Sequence, residues 1–196
     1  MAPASIPGYA YGDPALPASP LPLDELRLLE QTVLFGDEDV RWLRAAGEAL
    51  AGRHEDVLDV WYGFVASQPH LLAFFSNEAG APDVHYLAAV RQRFGQWIDD
   101  LCNRPHDQAW LDYQHEIALR HYRTRKNATD SADAAPVVPL RYLVALTFAI
   151  TATIRPFLEA AGRPADEVEK MHAAWFKAVT LSVVLWTRPY VRDSDF

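Results

Sequence analysis

Residues 82–103 read PDVHYLAAVRQRFGQWIDDLCN. Tyr86, Val90, Phe94 and Trp97 recur at steps of four, four and three, which a 3.6-residue turn brings onto one face. A half-buried strand would alternate with a period of two. The stretch from Pro82 to Asn103 therefore predicts a helix with one aromatic-rich face. The same period continues on both sides of it. Leu23 to Phe35 carries Leu26, Leu29, Val33 and Leu34 on a face. Asp37 to Ser67 is long enough for two helices divided near Gly52. Asp107 to Thr124 predicts another helix, followed by a polar loop from Lys126 to Ala135. Pro139 to Ala161 is a long apolar helix whose last turns Pro156 should kink or thin. Pro164 to Thr187 is the last, with Pro164 near its first turn. Gly63 and Gly95 interrupt helices at a cost in propensity, and close helix crossings are the expected reason.

No segment reads as a strand, and no 20–50-residue period recurs. The fold class is therefore all-α, with seven or eight helices. Six prolines crowd the start of the chain: Pro3, Pro7, Pro14, Pro17, Pro20 and Pro22. Proline fixes φ and removes a donor, so residues 1–22 predict an extended arm and not a helix. Ile6, Tyr9 and Tyr11 could dock that arm on the body formed by residues 23–196; a disordered tail is the alternative. The arm has no basic residue and no apolar run of the kind a secretory signal needs. Residues 173–186 are too short an apolar run to span a bilayer, which takes roughly 20 residues. No membrane span and a cytoplasmic location are expected.

The 196-residue chain carries a formal charge of −8 and one cysteine, Cys102. One cysteine excludes an intramolecular disulfide framework, a Cys-rich zinc site and thioether attachment of haem. The negative balance argues against nucleic acid as a partner, because phosphate binding needs a basic footprint. Six Trp, eight Tyr and nine Phe supply core volume or line a pocket for a flat ligand; composition does not choose between these.

The histidines narrow the chemistry. His115-Glu116 opens like a zincin motif, but residue 119 is Leu. Glu169-Lys-Met-His172 is a single E-x-x-H, whereas a di-iron bundle needs two and further glutamates. His121 lies on a stripe with Trp110, Gln114, Ile117 and Ala118. It reads either as a core or capping histidine or as a ligand. His54, among Leu50, Val57, Leu58 and Trp61, makes a similar claim. One histidine cannot hold bare zinc, which takes three or four protein ligands. It can hold the iron of a haem, whose ring supplies four nitrogens. Trp61 and Tyr62 could both line a broad buried face, and a buried tyrosine hydroxyl needs a partner. Arg120, Arg123, Arg125 and Lys126 read most simply as a solvated helix C-terminus. The sharper alternative has some of them, with Arg91 or Arg93, neutralising carboxylates of a ligand.

These residues stand in blocks that resemble the protoglobin family, the single-domain relatives of globin-coupled sensors. The blocks are Ile6-Pro7-Gly8-Tyr9 with Tyr11-Gly12, residues 58–65 (LDVWYGFV), residues 86–94 (YLAAVRQRF) and residues 107–114 (DQAWLDYQ). Leu119-Arg120-His121, residues 150–154 (ITATI), residues 168–171 (VEKM) and residues 174–177 (AWFK) complete them. The resemblance runs over nearly the whole chain. It implies a globin-like helical sandwich extended by an N-terminal arm and an extra first helix.

It also implies haem b, with His121 as the proximal iron ligand. Tyr62 would be the distal hydrogen-bond donor, flanked by Trp61 and Phe94. Val90 would occupy the distal face, Leu143, Leu146 and Ile150 would line the pocket, and Arg93 would lie near the propionates. The implied activity is reversible binding of the diatomic gases O2, CO and NO at five-coordinate iron. Two alternatives stand beside it: a haem enzyme acting on NO, nitrite or peroxide, and a gas sensor working through a separate partner. Relatives form homodimers through their last two helices, with which apolar Val179, Val183 and Trp186 are compatible. A purely internal core is an equal reading of those three. The chain departs from the family in Tyr122, where relatives often have a second histidine. It departs again at Leu146-Thr147-Phe148-Ala149, where Leu146 in place of Phe should widen the pocket, and at His115, where relatives tend to have Tyr.

Overall fold

Asp83 and Asp107 start the two helices that matter most for the site. The Asp83 carboxylate accepts from the backbone N–H of His85 and Tyr86 at 3.1 and 3.0 Å. That of Asp107 accepts from Trp110 N at 2.9 Å. Each satisfies donors that a helix N-terminus leaves without a partner. Asp39 reaches back to Gly36 N at 2.9 Å and does the same for the second helix.

The computed structural model describes residues 5–196; the predicted arm residue Pro3 lies outside them. Eight α-helices are present: α1 Leu23–Thr32, α2 Asp37–Leu50, α3 His54–Ala66, α4 Pro69–Leu72, α5 Val84–Asn103, α6 Gln108–His121, α7 Leu140–Glu159 and α8 Ala165–Trp186. Short 3₁₀ turns follow α4 and α8. No strand occurs among the described residues; Ser76 and Pro82 make one isolated bridge. The fold is all-α, as the periodicity predicts. The expected boundaries move by a few residues, because the apolar stripes outlast the helices. α1 stops at Thr32, and Leu34 then takes a positive φ of 55°. The four-residue α4 is too short to show a period; Pro69 at its first position is its local cause.

α8 is the central element, packed on α7, α2 and α6, and α2 in turn packs on α5. The main core gathers Leu58, Trp97, Ile98, Leu101, Met171, Trp175 and Val179. A smaller cluster of Leu26, Trp110, Leu111, Leu181 and Leu185 lies beneath α1 and the arm. Gly95 has the expected role: a Cβ there would stand 3.3 Å from Leu58 of α3. Gly63 does not, since nothing lies within 4 Å of its missing Cβ. The tightest crossing is at Gly47 of α2, where a Cβ would fall 2.9 Å from Cys102 of α5. Cys102 is a buried packing thiol, its pKa pushed up to about 12 by burial.

The described part of the arm docks on the body. Tyr9 donates to Asp100 at 2.7 Å, and Tyr9 and Tyr11 both meet the Tyr113 ring edge-on. Ser19 N donates to Asp112 at 2.8 Å. Gly8 has φ of 71°, and a Cβ there would fall 2.7 Å from both Arg93 Nη1 and Thr129 Cγ2. Only glycine meets both demands.

Two further expectations about the last helices resolve. Val179, Val183 and Trp186 are 0%, 5% and 6% exposed, so they form internal core and not an outer surface. The outward apolar side chains of α7 and α8 are Val144, Phe148 and Phe176. By length and composition α7 is the one helix among the described residues apolar enough to cross a bilayer. Leu143, Ile150, Ile154, Phe157 and Leu158 of that helix are buried in the bundle, while Val144 and Phe148 are apolar and exposed.

Candidate functional site

α3, α5, α6, α7 and α8 leave a cavity of ≈ 210 Å³ between them. One water needs only about 10–15 Å³ of such space, so the cavity is far larger than an ordinary packing void. Trp61, Tyr62, Val90, Arg93, Phe94, Leu143, Leu146, Ile150 and His121 all line it. The fold thus brings together every site residue that the resemblance implies. His54, at the start of α3, and His115 lie elsewhere.

His121 is the last residue of α6. Its carbonyl accepts from Val138 N at 2.9 Å and from the Tyr190 hydroxyl at 2.8 Å, which pins the backbone. Its Nδ1 lies 2.9 Å from the carbonyl oxygen of Ile117. A carbonyl can only accept, so Nδ1 carries the proton and the Nε2 lone pair is left free. Nε2 makes no hydrogen bond among the described residues. Trp186 stacks on the ring at 5.1 Å and 21°, and Trp186 Nε1 is itself held by Gln114 Oε1 at 2.8 Å. Burial lowers the imidazole pKa to about 4, so the ring is neutral at pH 7.

Tyr62 contributes a hydroxyl to the aromatic part of the wall. Its hydroxyl makes no hydrogen bond among the described residues, and burial pushes its pKa up. Phe75 and Phe94 meet the ring edge-on at 6.3 and 6.4 Å, and the Arg91 guanidinium stands 5.7 Å over it. Trp61 packs on Phe94 at 5.7 Å. Trp97 and Trp186, to which the sequence gives no task beyond core or interface packing, also line the cavity. Trp97 lies one step of three beyond Phe94 on the α5 face, so the periodicity could have placed it there.

Arg91 does not line the cavity; it pairs with Glu55 and Asp59. Arg93 does, while donating to Asp130 at 2.9 and 2.5 Å and to Pro7 O at 2.9 Å. Of the basic cluster around His121, Arg123 is exposed, as a solvated helix end predicts, but Arg120, Arg125 and Lys126 are held by protein partners. Glu116, 2% exposed, accepts from Arg120 and Arg125 at 2.8 and 2.5 Å. Arg120 also donates to Gly8 O at 2.6 Å. Lys126 is 5% exposed and lines the cavity, although the sequence places it in a polar loop.

No group of three or more His, Cys, Asp or Glu side chains is placed to hold a metal ion among the described residues. A metal at His121 would have to bring its other donors with it. A family model described as Protoglobin matches residues 23–195. The chain belongs to the protoglobin family. A search of curated proteins returned no match. Membership implies a haem cofactor and haem-based gas binding.

The residues present fit such a group. A protoglobin haem needs one imidazole lone pair, and His121 offers Nε2 with its tautomer fixed from behind. It needs flat apolar walls, which Trp61, Phe94, Leu143 and Ile150 provide. It brings two carboxylates, and the lining carries three cations, Arg93, Arg120 and Lys126, against the single carboxylate of Asp130. In a chain of net charge −8 that local positive excess is a departure from the average.

Proposed function

We propose that this protoglobin holds haem b through His121 Nε2 and binds O2, CO or NO reversibly, from the cytoplasm. The observation that carries the reading is the His121 ring: Nδ1 held at 2.9 Å by Ile117 O, a depressed pKa and a free Nε2 at the wall of an aromatic cavity. The iron of such a group would supply the coordination position for a diatomic ligand. The chain supplies the rest. Ile117 O fixes the imidazole orientation, and Trp186 backs the ring. The Tyr62 hydroxyl, lacking a protein partner, would donate to a ligand that carries partial negative charge. Trp61, Phe75 and Phe94 exclude water, which slows oxidation.

Turnover of peroxide is the less supported reading, because His121 is the one imidazole on the lining and its Nδ1–H is committed. The geometry favours ligand storage or delivery over acid-assisted bond cleavage. We further propose a homodimer through the last two helices. Its support is the outward apolar face of Val144, Phe148 and Phe176, which are 51%, 79% and 49% exposed.

Visible absorption spectra of the purified protein test the reading. Ferric, ferrous, ferrous-CO and ferrous-O2 samples should give four distinct Soret positions, and the O2 form should return to ferrous under vacuum. Absence of a Soret band after incubation with haem, or immediate oxidation by O2, would overturn it.

A further inference from the structure

Among the described residues, Lys126 is the one cavity cation that no carboxylate pairs with. Arg93 is committed to Asp130 and Pro7 O, and Arg120 to Glu116 and Gly8 O. Lys126 Nζ donates to Phe74 O and to the Tyr86 hydroxyl, both at 2.9 Å. It stands 4.7 Å from the Tyr86 ring centroid. An ammonium has three N–H donors, so one is left without a partner among the described residues. The group is 5% exposed, so water does not solvate it freely. Burial lowers its pKa to about 8, against the opposing pull of the Asp130 charge. Leaving a buried ammonium without a counter-charge is costly, whereas a hydrogen-bonded carboxylate beside it offsets the cost.

The two protein contacts have a second consequence. Phe74 O and the Tyr86 hydroxyl hold Nζ from the segment after α4 and from α5. The ammonium is therefore oriented before any ligand enters, as a binding point needs. Arginine would present a fork matched to bidentate pairing; a lysine held on two sides presents a single point charge.

We propose that Lys126 Nζ, oriented by Tyr86 and Phe74 O, receives one carboxylate of the cavity's ligand and so anchors a propionate arm of haem. This rests on the haem reading above. It singles out Lys126 from the basic residues among which the sequence left the neutralising role open. Arg93 and Arg120 then tie the arm segment to the cavity wall and contribute positive field without direct pairing.

The test compares haem with its dimethyl ester, in which both carboxylates are neutral. Ferric wild type, Lys126→Met and Lys126→Arg are each loaded with one or the other, and loss to excess apomyoglobin is timed by absorbance. Haem should leave Lys126→Met roughly tenfold to a hundredfold faster than wild type, the range for one charge-assisted hydrogen bond. The diester should leave both at the same rate, and Lys126→Arg should keep most of the retention. Equal haem loss from wild type and Lys126→Met overturns the proposal. So does an equal acceleration for haem and diester, which would mark a structural role. If wild type takes up neither compound, the haem reading itself falls. Should circular dichroism show Lys126→Met unfolded, Lys126→Gln replaces it, keeping the donor and losing the charge.

Discussion

The imidazole Nδ1 of His121 sits 2.9 Å from the carbonyl oxygen of Ile117, one helical turn behind it. Ile117 lies one turn before His121 on α6, within reach of its ring. A carbonyl oxygen has two lone pairs, so Ile117 O can accept from the ring as well as from a helical backbone N–H. The resulting bond selects the tautomer with Nε2 free. A histidine bonded within its own helix and a histidine that would hold a metal read alike in sequence, which is why spacing alone could not separate them.

Tyr62→Phe should raise the O2 dissociation rate about tenfold, the equivalent of losing one hydrogen bond of roughly 1–1.5 kcal/mol. CO dissociation should change less, since bound CO carries less negative charge. Stopped-flow replacement of O2 by CO measures the first and replacement of CO by NO the second. An unchanged O2 rate would remove Tyr62 from the donor role.

Much of the fold was legible because its helices are amphipathic and bounded by proline or aspartate. The α5 stripe of Tyr86, Val90, Phe94 and Trp97 predicts the helix and its aromatic-rich face, while only the family resemblance pointed Val90 and Phe94 at the cavity. Lys126 was not legible. Its neighbours Arg123, Arg125, Asn127 and Asp130 are polar, and only the return of the chain past Phe74 and Tyr86 buries it. The ion pairs of Arg120 and Arg125 on Glu116 were hidden for a similar reason. A charge run looks solvated until a buried partner of opposite sign is found. Val179, Val183 and Trp186 were ambiguous because α8 is apolar on several faces, and only packing tells which face is covered.

Lys126 also makes the haem-free protein respond to alkali in a defined direction. Its folded pKa of about 8 lies below the ordinary lysine value of 10.5, so the unfolded chain binds the proton more tightly. The resulting penalty on the folded state is full below about pH 8 and fades as pH rises to about 10.5. The pH-dependent part amounts to about 3 kcal/mol at most. Urea unfolding of haem-free wild type and Lys126→Met across pH 7–10.5 isolates it. The stability difference between the two should shift in favour of wild type as pH rises; a difference independent of pH would contradict a buried, unpaired ammonium.

Phe148→Asp places a charge in the middle of the outward apolar face of α7, where Phe148 is 79% exposed. Because that side chain buries little within the chain itself, thermal stability of the monomer should change by less than about 0.5 kcal/mol. Sedimentation velocity should show a dimer for wild type and a monomer for the variant. A variant that sediments as wild type does would remove this face from the proposed interface.

The central claim is that His121 Nε2 is the iron ligand, and replacing the side chain while supplying its ring from solution tests it most directly. Ferrous, haem-loaded wild type should show the low-frequency resonance Raman band of an iron–histidine bond. His121→Gly should lose the band and regain it, at a shifted frequency, when imidazole is added. Persistence of the wild-type band in His121→Gly without imidazole would mean that another histidine holds the iron, and the account would be wrong at its centre.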